Sequence, residues 1–366
     1  FEQFWPVWVK TAQYLASKPD ILPDDSIREQ LATLKDEANP MNKSAFFELV
    51  QDVESDDFTV ESIWARLWSA SIKQVHQVTI KTKDWETKTM VAKFIRPNII
   101  EDLEVNLSVA KQLAKAFAIK DLSQEFMNII LEESNLELEV YNASLLKKTI
   151  DWKKFWNFTI RVPDVAYVDD KMIIEDEATW VRLKDALESW SLDNKAINES
   201  IIQSYFYQLI VNWVFHADLH EWNIFVDKDT KTISLIDCWL IWKIERAKRW
   251  QFLSLFRNIE EADAKKVADA IDSKFLKEWT LTNEQRNKIG GVLSDSWLSS
   301  KEKFEKTLDQ IKRNDKLVLD DDFIVFMKSL ASIGIYLDSV NSKKIMNIQT
   351  KLVAILLGAR NNIGLN

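Results

Sequence analysis

The feature that most restricts how this chain can fold is the absence of glycine from its first 289 residues. Glycine normally makes up about 7% of a protein, because tight turns need a left-handed backbone that it adopts without strain. The same stretch holds all but one of the 16 tryptophans, and the exception is Trp297. In TKDWETK, Trp85 lies where a β-hairpin normally has Asp-Gly. A bulky residue in that conformation costs about 1–2 kcal/mol per site.

These observations lead to the hypothesis that the reading frame comes from a genome in which UGA encodes glycine, and that it was translated with UGA as tryptophan. Glycines such as Gly290 would then use other codons. The alternative is a protein truly rich in tryptophan, whose indoles are core residues or interface anchors. We favour recoding, because the tryptophans fall at the turn positions of motifs and not on apolar faces.

Composition limits the class of protein. The chain has 366 residues, 46% of them hydrophobic, enough for two or three domains. Its formal net charge of -9 argues against nucleic acid as the main partner. One cysteine and three histidines leave too few ligands for a disulfide framework or a Cys/His zinc site, so we expect a cytoplasmic protein. The chain starts at Phe1 without a secretory signal, which indicates a fragment. It has no charge-free window of about 18 residues, so the sequence predicts no membrane-spanning helix.

The hydrophobic pattern predicts three regions. Residues 1–55 have apolar residues at helical spacing and form a predicted helical extension. Residues 56–180 begin with three alternating segments, FTVESIWARL, KQVHQVTIKT and TMVAKFI, which predict a strand meander before inserted helices and further strands. Residues 181–366 are predicted to be mainly helical, apart from a short hairpin within HADLHEWNIFVDKDTKTISLIDCW.

That hairpin carries the residues that phosphoryl transfer requires. Asp218 is followed five residues later by Asn223, and Asp237 follows the second strand. Such a set supplies one carboxylate to face the nucleophile, and an amide and a second carboxylate to bind a metal. Because the ligands are oxygen atoms, the predicted metal is Mg²⁺.

A competing interpretation takes His216, Asp218 and His220 as a metallohydrolase cluster. Such a site needs a further nitrogen or sulfur ligand, and the remaining histidine, His76, lies far away in a strand pattern. We therefore expect His216 and His220 to support the loop that aims Asp218, and His76 to be a satisfied residue of the sheet.

HADLHEWNIFV and LIDCWLIWKI resemble the catalytic and metal-binding loops of the UbiB-type (ADCK-type) atypical kinases. Trp222, Trp239 and Trp242 stand where that family has glycine. RLWSASIKQVHQV is similar to the family's Ala-rich loop, which implies that the loop residues contact a nucleotide: Trp68, Ser69, Ala70 and Ser71.

Further segments extend the resemblance over roughly residues 1–250. VAKFIRP resembles the strand that carries the phosphate-binding lysine, here Lys93, and EESNLELE resembles the helix of its acidic partner, which maps onto Glu133. FEQFWPVWVKTAQYLASKPDILP is similar to the family's regulatory extension, with Lys10 and Gln13 at its Lys and Gln positions. The chain departs from the family at Asn135, where the family has Asp.

The resemblance implies an α+β, two-lobed protein-kinase-like fold with a helical N-terminal extension. It also implies ATP and Mg²⁺ as cofactors. The implied activity is that of an ATPase or kinase in isoprenoid-quinone or other membrane lipid metabolism. A lipid or quinone precursor is the implied partner, and the protein is expected to contact the membrane surface. Two alternatives stay open: a small-molecule phosphotransferase of the aminoglycoside or choline kinase type, and a nucleotide-binding regulator without turnover.

Overall fold

The structure is a computed structural model, and it describes residues 25–32, 43–51, 53, 55–69, 72–96, 128, 130–178, 181–188, 193–260, 264–278, 280–295, 298–312 and 318–339. The chain divides into two compact units. The first comprises residues 1–141 and 163–178, and the second comprises residues 142–162 and 179–366.

The first unit is built on a five-stranded antiparallel sheet. Its elements are α1 (Asp25–Ala32), α2 (Lys43–Gln51), β1 (Phe58–Ser69), β2 (Lys73–Thr82), β3 (Thr87–Ile95), β6 (Val165–Val168) and β7 (Met172–Asp176). The strands lie in the order β1-β2-β3-β7-β6. The predicted meander is confirmed, because β1 pairs with β2 and β2 with β3, both antiparallel.

One face of this sheet is covered by α2. Phe46 of α2 packs against Phe94 of β3 and His76 of β2, with ring centroids 5.0 Å and 4.4 Å apart. Burial of these rings, together with the aliphatic side chains around them, contributes to the hydrophobic stabilisation of the unit. His76 is itself buried, and its ring nitrogens contact the Gln74 side chain and the Trp64 carbonyl. The expectation of a satisfied sheet histidine is confirmed.

The second unit is mainly helical around one large apolar core. Its elements are α3 (Leu136–Ile150, which begins in the first unit), β4 (Lys154–Phe155), β5 (Phe158–Arg161), β8 (Val181–Arg182), α4 (Leu183–Glu188), α5 (Asp193–Phe206), a π-helix (Tyr207–Asn212), β9 (Val214–His216), a 3₁₀ turn (Glu221–Asn223), β10 (Ile224–Asp227), β11 (Thr232–Leu235), β12 (Ile241–Lys243), α6 (Arg249–Glu260), α7 (Ala264–Phe275), β13 (Leu276–Glu278), α8 (Asn283–Ser294), α9 (Ser300–Lys312), β14 (Val318–Leu319) and α10 (Asp321–Asp338).

The predicted hairpin is formed by β10 and β11, which pair antiparallel from Ile224↔Leu235 to Asp227↔Thr232. It is the centre of a sheet in the order β4-β5-β11-β10-β8. Residues 142–162, which the sequence interpretation put in the N-lobe, belong to this second unit, since β5 pairs in parallel with β11.

Six residues other than glycine have a left-handed backbone among those that the structure describes, and four of them are tryptophans. Trp85, in the β2–β3 turn, has a φ of 65°, and Trp156, in the β4–β5 turn, has a φ of 52°. Trp152 (φ 58°) follows the end of α3, and Trp213 (φ 60°) caps the π-helix. Hairpin turns and helix C-termini are the positions at which glycine is normally selected.

Candidate active site

The loop between β9 and β10 is anchored at both ends by strand pairing. His216, at the end of β9, pairs with Ile241 of β12, and Asn223 leads directly into β10. Between them, the Ala217 amide donates to the Leu240 carbonyl at 2.9 Å. These backbone hydrogen bonds hold the loop rigidly, so the side chains on it have defined positions.

His216 organises the loop through both ring nitrogens. Its Nε2 donates to the Ile236 carbonyl at 3.2 Å, and its Nδ1 accepts from the Asp218 amide at 3.3 Å. This pattern requires the neutral ring, because protonated Nδ1 could not accept. Burial lowers the pKa of His216 and so favours the same form. The structural role predicted for His216 agrees with these contacts.

Asp218, Asn223 and Asp237 lie on two backbone segments that are hydrogen-bonded to each other. The Asn223 side chain donates from Nδ2 to the Asp218 carbonyl at 3.0 Å. The Asn223 carbonyl accepts from the amide of Ile236, the residue before Asp237, at 3.0 Å. Asn223 thus connects the segment of Asp218 to that of Asp237.

The carboxylate of Asp218 is accessible. Its side chain is 30% exposed, and its Oδ2 lies 3.7 Å from Nε2 of His220. His220 uses its other ring nitrogen, Nδ1, to accept from the Trp222 amide at 3.2 Å and so caps the 3₁₀ turn. A rigidly held but accessible carboxylate can accept a proton from an attacking hydroxyl group or water.

Asn223 and Asp237 carry oxygen atoms of the kind that magnesium binds. The Nδ2 of Asn223 donates to the Asp218 carbonyl, so its Oδ1 is the side-chain atom that could face a metal ion. Asp237, two residues after the end of β11, has a left-handed backbone, with a φ of 58°. One amide oxygen and one carboxylate, completed by phosphates and water, form the kind of ligand set that Mg²⁺ takes in nucleotide enzymes.

Trp222 does not distort the turn beside Asn223. It lies in the 3₁₀ turn, is about half exposed, and has Arg182 and Lys184 near its ring, at 5.0 Å and 5.6 Å from the centroid. None of Trp222, Trp239 and Trp242 has a left-handed backbone conformation. The backbone at position 222 thus has the ordinary conformation of a 3₁₀ turn.

In the first unit, Lys93 lies in a buried cluster of charges. Its Nζ is 2.9 Å from Oε1 of Glu139, on α3, and 2.9 Å from Oε1 of Glu175, on β7. The resemblance assigned the acidic partner to Glu133, whereas the ion pairs of Lys93 in the structure include Glu139 and Glu175, which the sequence did not single out. The other oxygen of Glu139 accepts from Nζ of Lys73 at 2.6 Å.

The two lysines keep Glu139 ionised. Burial alone raises the pKa of a carboxyl group, but the combined attraction and hydrogen bonds of Lys73 and Lys93 outweigh it and lower the pKa to about 2. The helix that carries Glu139 begins at a cap, because Asn135 accepts from the Leu138 amide through its Oδ1 at 2.9 Å. Asn135 therefore has a structural role that Asp would fill equally well.

The described residues include only part of the predicted nucleotide loop. Trp68 and Ser69 are the last residues of β1 and pair with Val75 and Gln74. Ala70 and Ser71 of the predicted nucleotide loop lie outside the described residues, as do Lys10 and Gln13 of the predicted extension.

The described part of the chain lacks two features. It contains no group of three or more His, Cys, Asp or Glu side chains placed to hold a metal ion, so the metallohydrolase interpretation gains no support there. None of its helices is both long and apolar enough to cross a membrane.

Residues 33–271 match the model of the ABC1 atypical kinase-like domain, about two thirds of the chain. The chain belongs to the ABC1 atypical kinase-like family. The resemblance to UbiB-type kinases stated from the sequence is confirmed, and this ABC1 chain has the two-lobed, kinase-like α+β fold that it implied.

Relatives of this ABC1 chain include the "Probable protein kinase UbiB" of Klebsiella pneumoniae (strain 342), 28% identical over 308 residues that cover 77% of this chain and 54% of the relative. The protein of the same name from Aeromonas hydrophila is 28% identical over 338 residues, 85% of this chain and 58% of the relative. The chain thus spans little more than half the length of these relatives. The solved complex of Rv3197 with erythromycin from Mycobacterium tuberculosis has a TM-score of 0.61, at 15% identity, and covers 90% of this chain and 85% of that one.

Proposed function

We propose that this chain is an ATP-dependent kinase or ATPase of the UbiB type. The observation that carries the proposal is the pair of hydrogen bonds through Asn223, which brings together the segments of Asp218 and Asp237. One accessible carboxylate beside an amide and a second carboxylate is the set of groups that phosphoryl transfer uses. The family membership supports the same chemistry.

Each group has a distinct role in this proposal. Lys93, oriented by Glu139, would bind the nucleotide phosphates, together with the loop of Trp68, Ser69, Ala70 and Ser71. Asn223 and Asp237 would hold Mg²⁺, which neutralises charge on the phosphates when bound. Asp218 would orient the acceptor hydroxyl or a water for attack on the γ-phosphoryl group and accept its proton. Lys10 and Gln13 would belong to a regulatory extension.

Replacing the metal ligands tests the proposal. Asp237→Asn and Asn223→Ala should each raise the Mg²⁺ concentration needed for half-maximal ATP hydrolysis, by at least about tenfold, because a bound metal contributes several kcal/mol of charge stabilisation. Asp185→Asn, an exposed carboxylate on α4, is the matched control and should leave the Mg²⁺ curve unchanged.

Phosphate release measured across a Mg²⁺ titration separates the outcomes. Turnover with the same Mg²⁺ dependence in all variants would contradict the assigned ligands. ATP binding without any turnover in the unmodified chain would favour the nucleotide-binding regulator, and transfer to an aminoglycoside or choline would favour the small-molecule phosphotransferase.

A role in isoprenoid-quinone or membrane lipid metabolism is the finer part of the proposal. It is supported by the name UbiB, which the relatives carry. A substrate of this kind would be presented at a membrane surface, so the protein would act in the cytoplasm, in contact with the membrane, on a lipid or quinone precursor.

We further propose that the tryptophans at left-handed positions are glycines in the natural protein. Trp85, Trp152 and Trp156 are all more than half exposed, so their side chains gain little from burial. Left-handed strain costs about 1–2 kcal/mol at each. Contacts of Lys81 with Trp85 at 4.3 Å and of Arg161 with Trp152 at 3.7 Å offset only about 0.5–1 kcal/mol each.

Mass spectrometry of the protein isolated from its native source tests this recoding. Peptides that contain positions 85, 152 and 156 should have the mass expected for glycine. The peptide from Asp218 to Asp237 contains Trp222, whose backbone is not left-handed, and recoding of every UGA codon would give it the mass expected for glycine as well. Tryptophan masses at all of these positions would refute recoding and leave a strained, tryptophan-rich protein.

A further inference from the structure

Lys73 is a buried cation that the proposed roles above do not use. It is the first residue of β2 and follows, after Ile72, the predicted nucleotide loop. Its backbone position is well defined, because Lys73 pairs with Ile95 and the Ile72 carbonyl accepts from the Arg96 amide at 2.9 Å. Lys73 therefore lies two residues after Ser71 in the sequence, at the start of a strand with a defined pairing.

The buried cluster around Glu139 includes two cations, Lys73 and Lys93. Glu139 already has a cation in Lys93, at 2.9 Å, yet Lys73 approaches its second oxygen to 2.6 Å. Lys73 shares Glu139 with Lys93, whereas Lys93 also contacts Glu175. Burying a second ammonium group carries a desolvation penalty, and two ammonium groups on one carboxylate repel each other.

We propose that Lys73 is a second phosphate-binding cation, which contacts the phosphate chain of a nucleoside triphosphate together with Lys93. Glu139 is the shared carboxylate that holds both ammonium groups in position, one on each oxygen. A triphosphate carries several anionic oxygens, so two neighbouring ammonium groups favour it over a nucleoside without phosphates. This inference rests on the proposed ATP-dependent function and deepens it.

Nucleotide binding to a Lys73→Met variant tests the inference. The affinity for ATP should fall about 10- to 100-fold, the equivalent of one lost hydrogen bond to a charged group, while the affinity for adenosine is unchanged. Lys73→Arg should retain most of the ATP affinity. Lys88→Met, an exposed lysine on β3, is the matched control and should bind both ligands like the unmodified chain.

The outcomes distinguish this inference from the proposed function. Unchanged ATP affinity in Lys73→Met, or an equal loss for ATP and adenosine, would overturn the role of Lys73 and leave the ATP-dependent function intact. Failure of the unmodified chain to bind ATP would overturn both. If Lys73→Met does not fold, Lys73→Gln and Lys73→Arg decide the question, because only the arginine variant should keep ATP affinity.

Discussion

Replacing Glu139 with glutamine is expected to lower the free energy of unfolding by about 3–5 kcal/mol, the usual effect of removing one partner from a buried ion pair. Glu139 is almost fully buried and is bound by Lys73 and Lys93 on its two oxygens. Glutamine keeps the size of the side chain but leaves two buried ammonium groups without this counter-charge. Urea denaturation at pH 7 measures the loss.

The pH dependence gives the same prediction a second test. The pKa of Glu139 is about 2 in the folded protein, against an ordinary value of 4.5. Its stabilising effect should therefore be complete above pH 4.5 and decline as the pH falls toward 2, because the unfolded chain binds the proton first. The difference in free energy of unfolding between the unmodified chain and Glu139→Gln should therefore decrease as the pH falls over that range.

The control for this prediction is Glu137→Gln. Glu137 is an exposed residue of the same helix, and its replacement should change stability by no more than about 0.5 kcal/mol. Equal stability of Glu139→Gln and the unmodified chain at pH 7 would show that the lysine and glutamate cluster does not support the fold.

The strands and the catalytic hairpin could be predicted from the sequence, because their signals are local. Alternation of apolar residues indicated β1, β2 and β3, and the β10–β11 hairpin followed from two short apolar runs around a polar turn. The parallel pairing of β5 with β11 could not be predicted, since it joins residues more than 70 positions apart.

Glu139 was missed for a physical reason. The segment EESNLELE contains four glutamates, and helical spacing does not show which of them faces Lys93. Glu133 precedes the cap at Asn135, and Glu139 lies in the helix that begins after it. The signal that could have found Glu139 is the cap itself, because Asn is among the preferred residues before a helix and sets where the helix starts.

The tryptophans divide into two groups that the sequence alone could not separate. Trp85 was expected at a glycine position of a hairpin turn, and its φ of 65° agrees with that expectation. Trp222 was also expected at a glycine position, but its backbone is that of an ordinary 3₁₀ turn. Only the backbone angles show at which positions glycine would relieve strain.

Replacing Asp218 with asparagine is expected to reduce ATP turnover by about 10²–10⁴-fold, the usual contribution of a general base. Asparagine keeps the size of the side chain but cannot accept a proton from the attacking group. The contacts that position the loop use the Asp218 backbone, namely its amide to His216 and its carbonyl to Asn223, so the variant should keep its fold. The affinity for ATP should change little.

Asp229→Asn is the matched control, because Asp229 is an exposed residue in the turn of the β10–β11 hairpin that follows the same loop. It should retain the full rate of hydrolysis. Thermal unfolding of both variants verifies that a lost rate does not reflect a lost fold.

The most direct measurement is therefore the release of ADP from Mg²⁺-ATP, under single-turnover conditions, by the unmodified chain and by Asp218→Asn. The account predicts ADP formation by the unmodified chain, near-complete loss in Asp218→Asn, and equal ATP binding by the two proteins. Equal rates in the two proteins, or ATP binding with no ADP formed by either, would contradict the assignment of this loop as a phosphotransfer site.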